Sequence, residues 1–386
     1  MKKKLLVWGF CGFLGIMMAA GMILPQTGFS ETENRYLQKR PEFSWKTFLK
    51  GTYGTEYEAY LSDQFPGRNS WVGLKVLAER AQLSFDVNDV YFGKDGYLIQ
   101  KFDREDIETE QLAQNLERLT FFLQDTERKL GKDHVRVMLV PSSSQILKNK
   151  LPLGAAPYDQ NQVTEQLIAQ MGEVMVVPVE EKLKEVWANS EEGLYYETDH
   201  HWTALGAYVG YKAWAGSLGE EPVASDAFDI HTVSKDFYGT ILSKINVGHQ
   251  PDSIQLYIPK DAAEYQVFFD GSTEGRDSLY SMNALEKRDQ YAVYLDGNHA
   301  LTHIVNEDID EGLRFGEKLL IIKDSYAHSF APFAVNHYDE TFMIDLRYFN
   351  QDLEIFMEEQ GITDVLVLYQ IPGFAKEKTV SKIWRQ

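Results

Sequence analysis

Helical and strand periodicities alternate along most of this chain, and that alternation limits it to a layered fold in which helices cover a sheet. Between 108 and 130, Leu112, Leu116, Leu119 and Leu123 recur every three or four residues, the spacing of one face of an amphipathic helix. A Val- and Leu-rich run at 135–140, closed by Pro141, reads as a buried strand. Residues 163–171 return to the helical period and 174–179 to a strand. After residue 305 the pattern resumes, with strands at 318–323, 341–346 and 365–369 and a helix at 350–360. Strands that alternate with helices pair in parallel, because each crossover brings the chain back to the same end of the sheet. The predicted fold class is therefore α/β, a mostly parallel sheet flanked by helices.

Other segments depart from this pattern. Residues 27–85 are polar and aromatic, with short amphipathic helices at 56–61 and 71–83 parted by the turn signal Phe65-Pro66-Gly67. Residues 90–99 read as a β-hairpin with Asp95-Gly96 at its tip. A helix from 204 to about 217 has Thr203 as its N-cap and Gly219 just past its end. From about 228 to 305, strand-like pieces at 255–258, 266–269 and 291–295 displace helices, which reads as a β-rich insertion. The expected organisation is an anchor over 1–26, a helical extension over 27–85 and an α/β domain over 86–386 that carries the insertion.

Lys2, Lys3 and Lys4 precede an uncharged stretch from Leu5 to Gln26. About 20 apolar residues suffice to cross a bilayer as a helix, and the lysines would keep the N-terminus in the cytoplasm. The expectation is an uncleaved, single-pass signal anchor with the α/β domain on the extracellular side. A cleaved signal peptide is the rival, because Ala19-Ala20-Gly21 offers small residues. The only cysteine, Cys11, lies inside this run. The chain beyond it can form no disulfide, thiol nucleophile or zinc–thiolate site. With 58 acidic against 38 basic residues the net charge is −20, and no basic stripe offsets it, so nucleic acid is disfavoured as a partner. Neither a phosphate-cradling P-loop nor a dinucleotide glycine fingerprint is present, and no cofactor is expected.

The chemistry concentrates in two strings, Thr198-Asp199-His200-His201-Trp202-Thr203 and Lys323-Asp324-Ser325-Tyr326. Asp199 and His201 are two apart, so on an extended segment they project to the same side, with His200 opposite. A carboxylate that accepts the Nδ1 proton fixes the tautomer and leaves Nε2 free as a base. Ser325 follows a buried strand and precedes a predicted helix, which exposes its hydroxyl near backbone N–H groups able to hold an oxyanion. Asp199, His201 and Ser325 thus form a candidate triad. Each also has a bland reading: a serine after a strand is a common helix cap, and an Asp-x-His pair occurs by chance in many proteins. Trp202 reads as packing beneath the site. Ser142-Ser143-Ser144, at a strand end, read as a cap or as substrate contacts. Asp-His-His also suits a metal-dependent phosphoesterase, which would need further aspartates; Asp308-x-Asp310 is the nearest pair.

Asp-His-His-Trp at 199–202 with Asp-Ser at 324–325 resembles the DHHW proteins of Gram-positive bacteria, and through them the alginate O-acetyltransferase group of SGNH-hydrolase-like proteins. The string Arg35-x-Leu37, Pro41, Phe43, Gly51-x-Tyr53, Tyr60-x-x-Asp63-x-Phe65-Pro66-x-Arg68 and the Gly93-Lys94-Asp95-Gly96 turn resemble that family as well. The resemblance implies an SGNH-like fold and a Ser325 nucleophile, with Lys323 standing where relatives carry glycine. It implies a downstream arginine and tyrosine, for which Arg347 and Tyr369 are the nearest candidates, and Asn298 as a possible oxyanion or substrate contact. It further implies an O-acetyltransferase acting on a cell-surface or secreted polysaccharide, supplied by a multipass membrane-bound O-acyltransferase (MBOAT). An esterase on the same fold and a non-catalytic wall-polymer binding protein are the alternatives.

Overall fold

The computed structural model describes residues 2–30, 35–172, 175–190, 193–261 and 264–384. It divides into two compact units, one of residues 1–88 with 242–249, the other of 89–241 with 250–386.

The first unit opens with α1 (Lys2–Ile23), of which residues 4–23 are long and apolar enough to cross a membrane. Three more helices follow, α2 (Trp45–Leu49), α3 (Thr52–Asp63) and α4 (Arg68–Ala81). Gly67, with φ +68, makes the turn into α4. The end of α3 is tied to the residues just beyond α1: Thr27 N–H donates to Gln64 Oε1 at 3.0 Å, Gln64 Nε2 donates to Thr27 O at 2.9 Å, and Gln26 Nε2 reaches Tyr60 Oη at 3.1 Å.

In the second unit, β1 (Val90–Phe92) and β2 (Leu98–Gln100) form the antiparallel hairpin, and Asp95 and Gly96 take the positive φ its tip requires. The long helix α5 (Glu110–Leu130) buries Leu112, Leu116, Leu119 and Leu123. Burial of each such side chain stabilises by about 1.5–3 kcal/mol. It leads into β3 (Val135–Val140), then α6 (Asn161–Met171), α7 (Val179–Ser190) and α8 (Ala204–Leu218). The Thr203 hydroxyl caps α8 by accepting from Gly206 N–H at 3.2 Å, and Gly219 closes it at φ +78.

Beyond α8 lie β4 (Phe228–Phe237), β5 (Asp252–Pro259), β6 (Tyr265–Phe269), β7 (Leu301–Asn306), β8 (Gly316–Lys323), α9 (Ala327–Ala334), β9 (Tyr338–Ile344), α10 (Leu353–Gln360) and β10 (Asp364–Gln370). The main sheet has the order β3-β10-β8-β9-β7-β6. Its first four strands are parallel, whereas β7 and β6 join antiparallel at one edge. The sheet is therefore mixed. Alternate residues of β8 and β10 feed two clusters: Leu319, Ile321, Leu366 and Leu368 pack on one face, Leu320, Ile322, Val365 and Val367 on the other. Helices cover both faces, which is why these strands are apolar throughout.

Two expected strands differ. The 174–179 segment supplies only an isolated parallel bridge from Val176 to Val137, since Val179 already begins α7; Val174 lies outside the described residues. The 291–295 segment is a 3₁₀ turn, Gln290–Val293, followed by Leu295 and Asp296 at positive φ, a geometry no strand accommodates. The β-rich stretch also divides: β4 and β5 form their own ribbon, whereas β6 and β7 extend the main sheet.

Candidate active site

Asp199 and His201 lie on a bend, not on a strand. Tyr195 and Trp202 bridge antiparallel, and Tyr196 N–H donates to His201 O, so residues 197–201 form a compact loop leading into α8. Asp252, at the start of β5, holds this loop from outside. Its carboxylate accepts from Glu197 N–H at 2.8 Å, Thr198 N–H at 2.8 Å and the Thr198 hydroxyl at 2.5 Å. Thr198 Oγ1 in turn accepts from Gly239 N–H at 2.9 Å. Gly239 lies so close that a Cβ there would sit 2.3 Å from Asp199 Cβ, which only glycine permits. From below, Trp202 is fully buried and donates its indole N–H to Tyr326 O at 3.0 Å; a side chain at Gly210 would meet its ring at 2.8 Å.

Ser325 sits in the turn between β8 and α9, partly exposed. The turn is held by Asp324, whose carboxylate accepts from Tyr326 N–H at 2.9 Å and Gln370 N–H at 2.8 Å. The Tyr326 hydroxyl donates to His200 O and accepts from Gln370 Nε2 at 2.7 Å, linking the two strings.

The tertiary structure brings the three candidate residues together. His201 Nε2 lies 2.7 Å from Ser325 Oγ, across 124 residues of sequence, and His201 Nδ1 lies 2.5 Å from Asp199 Oδ1. Asp199 is saturated: Oδ1 also accepts from His201 N–H at 3.0 Å, and Oδ2 from Thr240 N–H at 2.7 Å and the Thr240 hydroxyl at 2.9 Å. Burial opposes its ionisation, but the neighbouring His200 and His201 imidazoles and these hydrogen bonds hold the Asp199 carboxyl well below the usual carboxylate range. A carboxylate so fixed keeps the His201 proton on Nδ1 and leaves Nε2 to accept from the serine. Tyr291 stacks on the His201 ring, centroids 3.8 Å apart and planes 10° apart. Its hydroxyl lies 3.0 Å from Ser329 Oγ and 3.3 Å from Ser325 O, so it braces the imidazole against the serine turn.

His200 is not directed away from His201. Their rings are 3.9 Å apart, and His200 Nδ1 is 2.7 Å from Thr240 Oγ1. The two-fold alternation expected of an extended segment fails because the segment bends. Since the Thr240 hydroxyl gives its one proton to Asp199, it accepts from His200 Nδ1–H.

Of the backbone donors at the serine, Tyr326 N–H is committed to Asp324 Oδ1, and Ala327 and His328 N–H to Asp324 O and Ser325 O. Ser325 N–H has no partner among the described residues and is the one left for an oxyanion. Arg347 and Asn298 meet each other: Arg347 Nη2 donates to Asn298 Oδ1 at 3.0 Å, and the guanidinium grips Asp345 at 2.9 and 2.6 Å. Tyr369 is buried, edge-on to Phe374 at 5.9 Å. Among the described residues none of these three is hydrogen-bonded to Asp199, His201 or Ser325. Ser142, Ser143 and Ser144 are buried, and Gln160 Nε2 donates to Ser142 Oγ at 2.7 Å. Sequence reasoning missed Thr240, Tyr291 and Asp252; each lies in the irregular 228–305 stretch, where nothing local marks a contact with the Asp199 loop.

Asp199, His200 and His201 also place three potential metal-ligand atoms within 4.8 Å of one another, the one such group among the described residues. The Asp199 oxygens already take four hydrogen bonds, and a metal would have to displace the His201 and Thr240 protons. Asp308 and Asp310 do not join this group; Asp310 Oδ1 instead caps Gly312 N–H at 2.8 Å.

Comparison with known proteins matches this arrangement to a defined family. No curated protein matches the chain. Among solved structures, a DHHW family protein from Eubacterium siraeum shares 22% identity with a TM-score of 0.61, over 77% of this chain and 95% of that one. Bacillus cereus PatB1, solved with a sulfonyl adduct, shares 20% identity with a TM-score of 0.59, over 74% of this chain and 97% of that one. These likenesses establish a shared fold. The DHHW protein family model matches residues 131–344, more than half of the chain and including Asp199, His201 and Ser325, and this chain belongs to that family.

Proposed function

We propose that the chain is an extracytoplasmic O-acetyltransferase that modifies a cell-surface or secreted polysaccharide through an acetyl-Ser325 intermediate. The observation that carries this reading is the partly exposed Ser325 hydroxyl 2.7 Å from His201 Nε2, with Nδ1 held 2.5 Å from buried Asp199. The acetyl group and the sugar acceptor come from the family resemblance, and the sulfonyl adduct of the PatB1 relative is the kind of product an activated nucleophile forms.

In this mechanism His201 Nε2 takes the Ser325 proton as Oγ attacks the acetyl carbonyl of the donor. Ser325 N–H, with no other partner among the described residues, stabilises the tetrahedral oxyanion. His201 returns the proton to the leaving group, and the serine is left acetylated. A sugar hydroxyl then attacks the acetyl-serine, giving its proton to Nε2, and collapse restores Ser325 and releases the acetylated polymer. Acetyl thioesters are cytoplasmic, so the donor reaches the site through a membrane-bound O-acyltransferase partner, and α1 anchors the enzyme beside it.

Purified full-length protein treated with a chromogenic acetyl ester tests the intermediate by intact mass. Wild type accumulates one acetyl adduct; Ser325→Ala accumulates none, and His201→Ala nearly none. An adduct forming on Ser325→Ala at the wild-type rate places the nucleophile elsewhere. Oligosaccharide acceptors added to the same assay separate transfer from hydrolysis: release of acetate alone, with no acetylated sugar, makes the enzyme an esterase.

A further inference from the structure

The rim of the reaction centre carries an arginine that the proposed mechanism does not use. Two pieces of the β-rich stretch reach the triad: Thr240, which donates to Asp199, and Tyr291, which stacks on His201. Tyr238 stands two residues before Thr240, and Arg288 three before Tyr291. The Arg288 guanidinium carbon lies over the Tyr238 ring, 5.6 Å from its centroid. Gln290 joins the same two pieces again: it accepts from the Ser234 hydroxyl at 2.6 Å and donates to Asp236 O at 3.3 Å. Tyr238 and Arg288 are both partly exposed, as are His200 and Ser325, so solvent reaches the pair as it reaches the nucleophile.

We propose that Arg288, held on Tyr238, reads an anionic group, a carboxylate or a phosphate, on the polysaccharide acceptor whose hydroxyl attacks acetyl-Ser325. The proposal rests on the transferase reading and names the acceptor chemistry it requires. Unused donors are the first argument. In a chain with 58 acidic residues, Arg276, Arg314 and Arg347 are each paired with an aspartate. Among the described residues Arg288 makes no hydrogen bond or ion pair, and its contact with the ring face occupies none of its N–H groups. Preorganisation is the second. The ring holds the guanidinium in place, and the planar N–H fork matches a carboxylate or phosphate bidentately, which a lysine does not. Position is the third. A polymer that offers a hydroxyl to Ser325 extends past it along the rim, whereas the acetyl group of the donor ends at the serine. The net charge of −20 does not oppose this, because charges beyond about 8 Å are screened at physiological ionic strength. The sequence neighbours Lys287 and Asp289 offset each other.

The test measures binding apart from chemistry, on the full-length chain in detergent micelles. Calorimetric titration compares trigalacturonate, maltotriose 6-phosphate and uncharged maltotriose on wild type, Arg288→Gln and Arg288→Lys. Wild type is expected to bind at least one charged trisaccharide more tightly than maltotriose. Arg288→Gln then raises the Kd of that sugar roughly tenfold or more, while the Kd of maltotriose changes by less than about twofold. Arg288→Lys, which keeps the charge but not the fork, falls between. The sugar that loses affinity tells a carboxylate from a phosphate. Lack of any preference for charge in wild type overturns the proposal, as does an equal Kd for the charged sugar in wild type and Arg288→Gln. A loss for maltotriose as large as that for the charged sugar shows that Arg288 shapes the rim without reading an anion, and also overturns it. Intact mass of wild type treated with the chromogenic acetyl ester reports on the transferase reading. An acetyl adduct without charge-selective binding overturns the proposal alone. Charge-selective binding without an adduct overturns the transferase reading and leaves a site for anionic sugars.

Discussion

Two carboxylates flank the proposed reaction centre, and the protein treats them in opposite ways. Asp199, buried in the 197–201 loop, is held well below the usual carboxylate range. Asp324, partly accessible in the serine turn, is shifted the other way, upward from its ordinary value, by burial of its charge among neighbouring atoms. Depth alone would predict the reverse order. The difference lies in partners. Asp199 faces two imidazoles and Thr240, whereas the hydrogen-bond donors of Asp324 are the backbone N–H groups of Tyr326 and Gln370. One carboxylate is built to stay ionised beside a base that acquires charge; the other is built to hold a turn.

Asn substitutions break that comparison most directly. Asp199→Asn turns an amide NH₂ toward two of the four donors that the carboxylate accepted and no longer holds the His201 proton on Nδ1, so kcat falls on the order of 10³- to 10⁴-fold and stability falls by about 1–3 kcal/mol as well. Asp324→Asn leaves one of two backbone donors facing an amide NH₂. It costs about 1–3 kcal/mol of stability, read from denaturant midpoints, with a much smaller change in kcat. Equal losses of kcat in the two variants would remove the distinction.

Gly239→Ala is the next largest test. The new Cβ at 2.3 Å from Asp199 Cβ forces the loop off its seat, so stability and kcat fall together, by roughly 1–3 kcal/mol in stability. Thr240→Val is milder. The backbone N–H still serves Asp199 Oδ2 while the hydroxyl bond at 2.9 Å is lost, which costs about tenfold in kcat, or about 1.5 kcal/mol. His200→Ala acts through the same threonine and loses no more than Thr240→Val does.

The last test concerns Lys323 and stability alone; the side chain is fully buried, its Nζ 2.9 Å from His328 Nε2 and 3.6 Å from Asp345 Oδ2. Burial, opposed by the Asp345 charge, pulls its pKa down from 10.5 to about 8. Its folded value lies below its unfolded one, so between those two values the unfolded chain binds more protons and stability from this site rises with pH. Lys323→Met removes that dependence. Measured by denaturation from about pH 7 to about pH 10, the stability of wild type relative to the variant should climb; a flat difference would show that the lysine is not held in this way.

Much of the sheet and one half of the site were legible in the residues alone. Continuous apolar runs such as Leu319 to Ile322 commit to buried strands, because alternate side chains must feed two covered faces. The leucines of α5 and the Thr203 cap of α8 are equally local signals. The Asp199–His201 pair was legible because the two residues lie close enough in sequence for one loop to join them.

What sequence could not supply depends on contacts between distant segments. The antiparallel edge of β6 and β7 is one such feature, and the bend that turns His200 toward His201 is another, since Asp252, Gly239 and Thr240 impose it from about 40 to 55 residues away. The stacking of Tyr291 on His201 and the approach of Ser325 to Nε2 across 124 residues are likewise contacts between segments far apart in the chain. Local periodicity determines which elements form, because hydrophobic spacing acts within a few residues. The tertiary structure alone decides which side chains meet, because loop direction answers to packing from elsewhere in the chain.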